Sequence, residues 1–119
     1  MTKHIKVGVY RLGLIDVGLY LRDGTGGSFS YASRDGAPYM EVGTDQGWSQ
    51  AHAALHHEVY EMGYVLNGLR YAATVDYASD NGSYLFSMSH TQFSEANAQA
   101  AGFLLKAIPA FKKAFNKKR

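Results

Sequence analysis

The chain has 119 residues, 46% of them hydrophobic and 18% charged, with a formal net charge of +2 and no cysteine. This length fits a single domain, 1–119, large enough to bury an ordinary core, and the composition excludes a disordered polymer. Without cysteine there is no disulfide framework, any metal must be held by His, Asp or Glu, and a reducing, cytoplasmic setting is the natural expectation.

The N-terminus, Met1 to Val7, carries no apolar run long enough for a signal peptide, and no stretch approaches the roughly 20 apolar residues that span a bilayer. Ile5, Val7 and Val9 alternate with Lys6, Gly8 and Tyr10, the period-2 pattern of a half-buried strand. A second strand is predicted over Leu12 to Leu21, a turn over Asp23-Gly24-Thr25-Gly26-Gly27, and a third strand around Phe29 and Tyr31. Arg34-Asp35-Gly36 makes another turn, and Tyr39 to Val42 a fourth strand, which together read as an antiparallel meander. At Thr44-Asp45, either of which can cap a helix, the pattern changes. Ala51, Leu55, Met62 and Leu66 then recur at helical spacing, and Asn67-Gly68 offers a stop, so a central helix is predicted over Trp48 to Leu66. Ala73 to Tyr77 and Ser83 to Ser89 read as a hairpin around Asp80-Asn81-Gly82. A last helix is predicted from Thr91 or Ser94, with Ala96, Ala100, Leu104, Ile108, Phe111 and Phe115 on its apolar face. Pro109 should kink that helix or open a separate one. Lys112, Lys113, Lys117, Lys118 and Arg119 crowd the C-terminus, where cations suit a helix dipole, and a net charge this small makes nucleic acid an unlikely partner. Strands, helix, hairpin, helix is an α+β order.

The chemistry-bearing residues concentrate on the central helix. His57 and Glu61 stand four apart, on one face and one turn apart, with Glu58 directly after the histidine. Two ligands at that spacing can hold Zn²⁺, and a neighbouring carboxylate can take a proton from metal-bound water. On a helical wheel counted from Leu55, Glu58 falls about 300° round, at the edge of the apolar stripe, where a carboxylate needs a partner. A zinc site with an open position needs a third protein ligand; His90 is the first candidate and Glu95 the second, ahead of Asp76 and Asp80. His52 and His56 are further imidazoles on the same helix. Gly24-Thr25-Gly26-Gly27 is not a phosphate loop, because a strand follows it and no Lys-Ser/Thr pair closes it. No Gly-x-Ser-x-Gly elbow is present. The nine tyrosines fall mainly in strand patterns, where aromatic side chains pack in any case.

The segment Leu55-His56-His57-Glu58-Val59-Tyr60-Glu61 resembles the active-site helix of small zincin-like metallopeptidases, with Glu61 where the second histidine of HExxH would stand. Tyr84 to Phe93, with His90-Thr91-Gln92-Phe93, is similar to small phage and prophage proteins. The resemblance implies His57 and His90 as zinc ligands and Glu58 as catalytic base, with Glu61 completing the set. It implies a zinc-dependent hydrolase acting on a peptide or protein. The alternative is a phage or prophage accessory protein that works by protein–protein contact. Either way, the apolar content should support the fold without a metal staple. Heat denaturation with and without a chelator is expected to give the same midpoint, and unfolding on chelation at room temperature would contradict this.

Overall fold

The period-2 alternation of the first 43 residues yields four strands in the computed structural model, which describes residues 4–72 and 84–118. They are β1 (Ile5–Leu12), β2 (Ile15–Arg22), β3 (Gly27–Arg34) and β4 (Ala37–Gly43). Helix α1 (Trp48–Leu66), the short strands β5 (Arg70–Ala72) and β6 (Tyr84–Phe86), and helix α2 (His90–Lys118) complete the α+β order. The hairpin turn at Asp80-Asn81-Gly82 and the whole of the strand expected over Ala73 to Tyr77, like the candidate ligands Asp76 and Asp80, lie outside the described residues.

The sheet is built from two antiparallel pairs, β1 with β2 and β3 with β4, but its order is β1-β2-β4-β3. A simple meander would set β3 beside β2. Here β4 lies between them and runs parallel to β2, pairing Leu19 with Met40 and Leu21 with Val42. β3 thus becomes an outer strand of the sheet. The connection from β2 to β3 must pass the end of β4, and Gly43 accommodates it: a Cβ there would lie 2.4 Å from the carbonyl oxygen of Gly24. Backbone hydrogen bonds hold the crossing, from Gly43 N to Gly26 O at 2.8 Å, Thr44 N to Arg22 O at 3.1 Å and Asp45 N to Gly24 O at 2.9 Å.

One sheet face carries Val17, Leu19, Leu21, Met40 and Val42, all fully buried beneath the two helices. α1 contributes Ala51, Leu55, Val59 and Met62; α2 contributes Ala100, Phe103, Leu104, Ala107, Phe111 and Phe115. The other face is polar and aromatic. Tyr20 donates to Asp35 Oδ2 at 2.7 Å, Arg34 lies over the rings of Tyr20 and Tyr39, and Arg34 Nη1 meets Glu41 Oε2 at 3.2 Å. This cluster explains why β2 is buried along both faces while remaining amphipathic in sequence.

The helix boundaries carry three corrections to the expected caps and stripes. The N-cap of α1 is Gly47, without a side-chain cap, while the hydroxyl of Thr44 donates to Arg22 O at 3.2 Å. Leu66, expected in the buried stripe, is 37% exposed, and Leu69 is buried beyond the helix end. α2 starts at His90 because Ser89 and Gln92 form a reciprocal capping box: Gln92 N donates to Ser89 Oγ at 3.2 Å and Ser89 N to Gln92 Oε1 at 2.8 Å. Pro109 lies inside this one helix and does not open a second. The backbone bond it removes is to the carbonyl of Leu105, whose residue is 75% exposed, on the solvent side. Near the other end of α2, Lys118 pairs with Asp23 in the β2–β3 loop. No helix among the described residues is long and apolar enough to cross a membrane.

Two substitutions test this packing. Phe103→Ala, at the centre of the core, is expected to cost about 3–5 kcal/mol in urea denaturation. Gly43→Ala is expected to destabilise the fold by roughly 1–3 kcal/mol although it removes no contact, because backbone and not a flexible side chain occupies the space its Cβ would enter. A neutral Gly43→Ala would mean that the loop does not cross there.

Candidate functional site

Because β3 is outermost, α1 passes over it and a cleft of about 600 Å³ opens between them. One wall is α1, with His57, Glu58 and Glu61. The other is five consecutive residues of β3, Gly27 to Tyr31, with Arg70 at the start of β5 closing one side. Consecutive strand residues point to opposite faces. A cleft touching all five is therefore lined by strand backbone as well as by the side chains of one face.

Glu58 is the unusual group. Its residue is 6% exposed, buried among apolar neighbours, as its wheel position at the stripe edge anticipates. Gly27 makes room for it: a Cβ on Gly27 would lie 2.9 Å from Glu58 Cγ. The carboxylate accepts no side-chain hydrogen bond among the described residues, and the His57 imidazole lies beside it, with Nε2 4.0 Å from Oε2. No fully buried side-chain oxygen among the described residues lacks a partner, so the Glu58 carboxylate keeps contact with the open cleft. Burial pushes its pKa above the ordinary value of 4.5; Glu61 adds to the rise, while His57 and Arg22 oppose it. Tyr31, across the cleft, is likewise raised by burial, with Arg70 pulling it down and Glu61 pushing it up, so the three share one electrostatic environment.

His57 Nε2 is 3.3 Å from Glu61 Oε1, so the expected i, i+4 pair forms, with the histidine side chain 66% exposed and the glutamate 21%. His90 does not join them. The Ser89 capping box places it in the exposed first turn of α2, and it does not line the cleft. Glu95, one turn on, is also exposed. No group of three His, Asp or Glu side chains among the described residues is arranged to hold a metal ion. The zinc site implied by the sequence needs three protein ligands, and the cleft brings together two of its three named donors, His57 and Glu61. Ser28, Ser30, Tyr31 and Arg70 are cleft residues that the spacing of His57, Glu58 and Glu61 does not announce. The strand order brings the three β3 residues there, and the start of β5 brings Arg70.

No protein-family model matches the chain, and no curated protein or solved structure does.

The state of Glu58 has a stability consequence. Its folded pKa is raised, so between the unfolded and folded values the native state holds a proton that the unfolded chain has lost. Stability from this group is full below about 4.5 and falls as pH rises through the folded pKa. Glu58→Gln is therefore expected to stabilise the protein at pH 7 to 8, with the gain shrinking toward pH 4. Urea denaturation across that range reads it, and a loss of stability at neutral pH would show that the carboxylate is paired.

Proposed function

We propose that the cleft between β3 and α1 is the acid–base site of a hydrolase acting on an extended peptide, with Glu58 as its general base. The observation that carries this reading is the Glu58 carboxylate: nearly buried, without a hydrogen-bond donor among the described residues, raised in pKa and open to a cleft. Supporting it, the cleft is lined by an outer strand of the sheet, and the edge of such a strand is a surface on which an extended peptide aligns by strand addition.

In this reading the ionised Glu58 takes a proton from a water molecule as the water oxygen bonds to the peptide carbonyl carbon. It returns that proton to the amide nitrogen as the C–N bond breaks, which regenerates the carboxylate. Burial strengthens it as a base for the same reason that it raises the pKa. His57 sits beside both carboxylates of the helix, and Tyr31 and Arg70 line the same cleft. A zinc-dependent form would draw on His57 and Glu61 as two of its ligands; the acid–base assignment of Glu58 stands without it.

The reading is tested by incubating the protein with a peptide library and identifying products by mass spectrometry. Wild type is expected to cleave, Glu58→Gln to lose about 10²–10⁴-fold in rate while retaining binding, and the wild-type rate to rise with pH through a pKa above that of an ordinary glutamate. Binding without cleavage by the wild type would assign the same cleft to the protein–protein accessory role instead.

A further inference from the structure

A second constellation lies on α1 outside the cleft. His52 and His56 stand one turn apart, and their Nε2 atoms are 3.3 Å from each other. Their rings lie 4.5 Å apart between centroids. Trp48 packs against His52 at 5.3 Å and Tyr60 stacks on His56 at 6.3 Å, so the pair is bracketed on both sides along the helix. Trp48 is in turn fixed against Phe111 and Phe115 of the core, and the bracket is anchored. Both imidazoles are half-buried.

Two ring nitrogens this close are held by a hydrogen bond or by a shared ion. A single proton can fill that role, one ring donating to the other. A metal ion can fill it as well: bonds of about 2.0–2.1 Å opened to a tetrahedral angle set two nitrogens about 3.4 Å apart. The observed 3.3 Å is close to that distance, and turning the two rings until both lone pairs meet at one point would admit an ion. Imidazole suits the later first-row divalent ions, and the order of affinity among them favours Cu²⁺ and Ni²⁺ over Mn²⁺ and Fe²⁺.

We propose that His52 and His56 form a two-histidine binding site for a late first-row divalent cation, distinct from the His57–Glu61 pair, with water or an external donor completing the coordination. Its place on the helix suggests a role in stapling one turn of α1, since an ion bridging residues four apart binds only the folded helix. This inference is independent of the hydrolase reading, because it uses none of the cleft residues.

The test titrates the full chain, with no affinity tag, with Zn²⁺ and Ni²⁺ by calorimetry, and follows the histidine ring resonances by NMR under Zn²⁺. One equivalent is expected to bind and to shift the His52 and His56 signals selectively. His52→Ala and His56→Ala are each expected to weaken binding at least about tenfold, in the range by which loss of a ligand-supporting group weakens metal sites. His90→Ala should leave the affinity unchanged. The ion should raise the melting temperature of the wild type and not of His52→Ala. Circular dichroism on each variant, and the milder His56→Gln, separate lost binding from lost folding. No binding to the wild type, or binding lost in His57→Ala and kept in His52→Ala, would overturn the proposal and leave the pair as a proton-sharing contact.

Discussion

With β4 inserted between β2 and β3, the chain leaving β2 must cross the end of β4 within backbone contact distance of Gly43 before β3 can begin. The position of everything downstream follows from that crossing. β4 ends beside the β2–β3 loop and delivers the chain to α1 at Trp48, so α1 runs back over the outer strand and not over the sheet centre alone. The apolar stripe of α1 meets the sheet core through Leu55, Val59 and Met62, and the residue at the stripe's margin, Glu58, comes down on the backbone of β3 where Gly27 has no side chain. A larger residue at position 27 would close the space, and a meander order would remove the strand edge altogether.

The electrostatics of the cleft follow from this placement. A carboxylate driven toward the core by its helical position ordinarily finds a guanidinium or a backbone amide. Glu58 finds instead an imidazole at 4.0 Å and open cleft. Contrast Glu41 on the opposite sheet face, which is met by Arg34 at 3.2 Å and by His4 at 2.6 Å. The fold satisfies one acid fully and leaves the other raised in pKa and reachable. A carboxylate held in that way is costly to a merely structural protein and useful to one that moves protons or binds a donor.

Much of this was legible in the sequence. The period-2 runs locate the four strands and the 3.6 period bounds α1 at Trp48 and Leu66, because both signals report which side of a segment is buried. The wheel position of Glu58 anticipates its burial for the same reason. Periodicity carries no information on which strand neighbours which, so the parallel pairing of β2 with β4, and with it the β3 wall of the cleft, is not readable from alternation. The early start of α2 had a visible signal in Ser89-x-x-Gln92, outweighed by the strand-like residues before it. Reading α2 by steps of four picks out Ala96, Ala100 and Leu104 but passes over Phe103 and Ala107, which complete the same face at steps of three. The placement of His90 with His57 fails because a strand end next to a helix start says nothing about which way that helix leaves. The spacing of His52 and His56 was plain, and its meaning depended on both rings sharing one rotamer direction between Trp48 and Tyr60.

Glu58 is buried, accepts no hydrogen bond among the described residues, and keeps contact with the cleft. Its side-chain carboxyl titration, followed by NMR on isotopically labelled protein and assigned by comparison with Glu58→Gln, reads that state directly. The account predicts a midpoint above the ordinary glutamate value of 4.5, falling toward it when Gly27 is replaced and the side chain is displaced into solvent. A midpoint at or below 4.5 in the unaltered chain would show a carboxylate held by donors, and would contradict it.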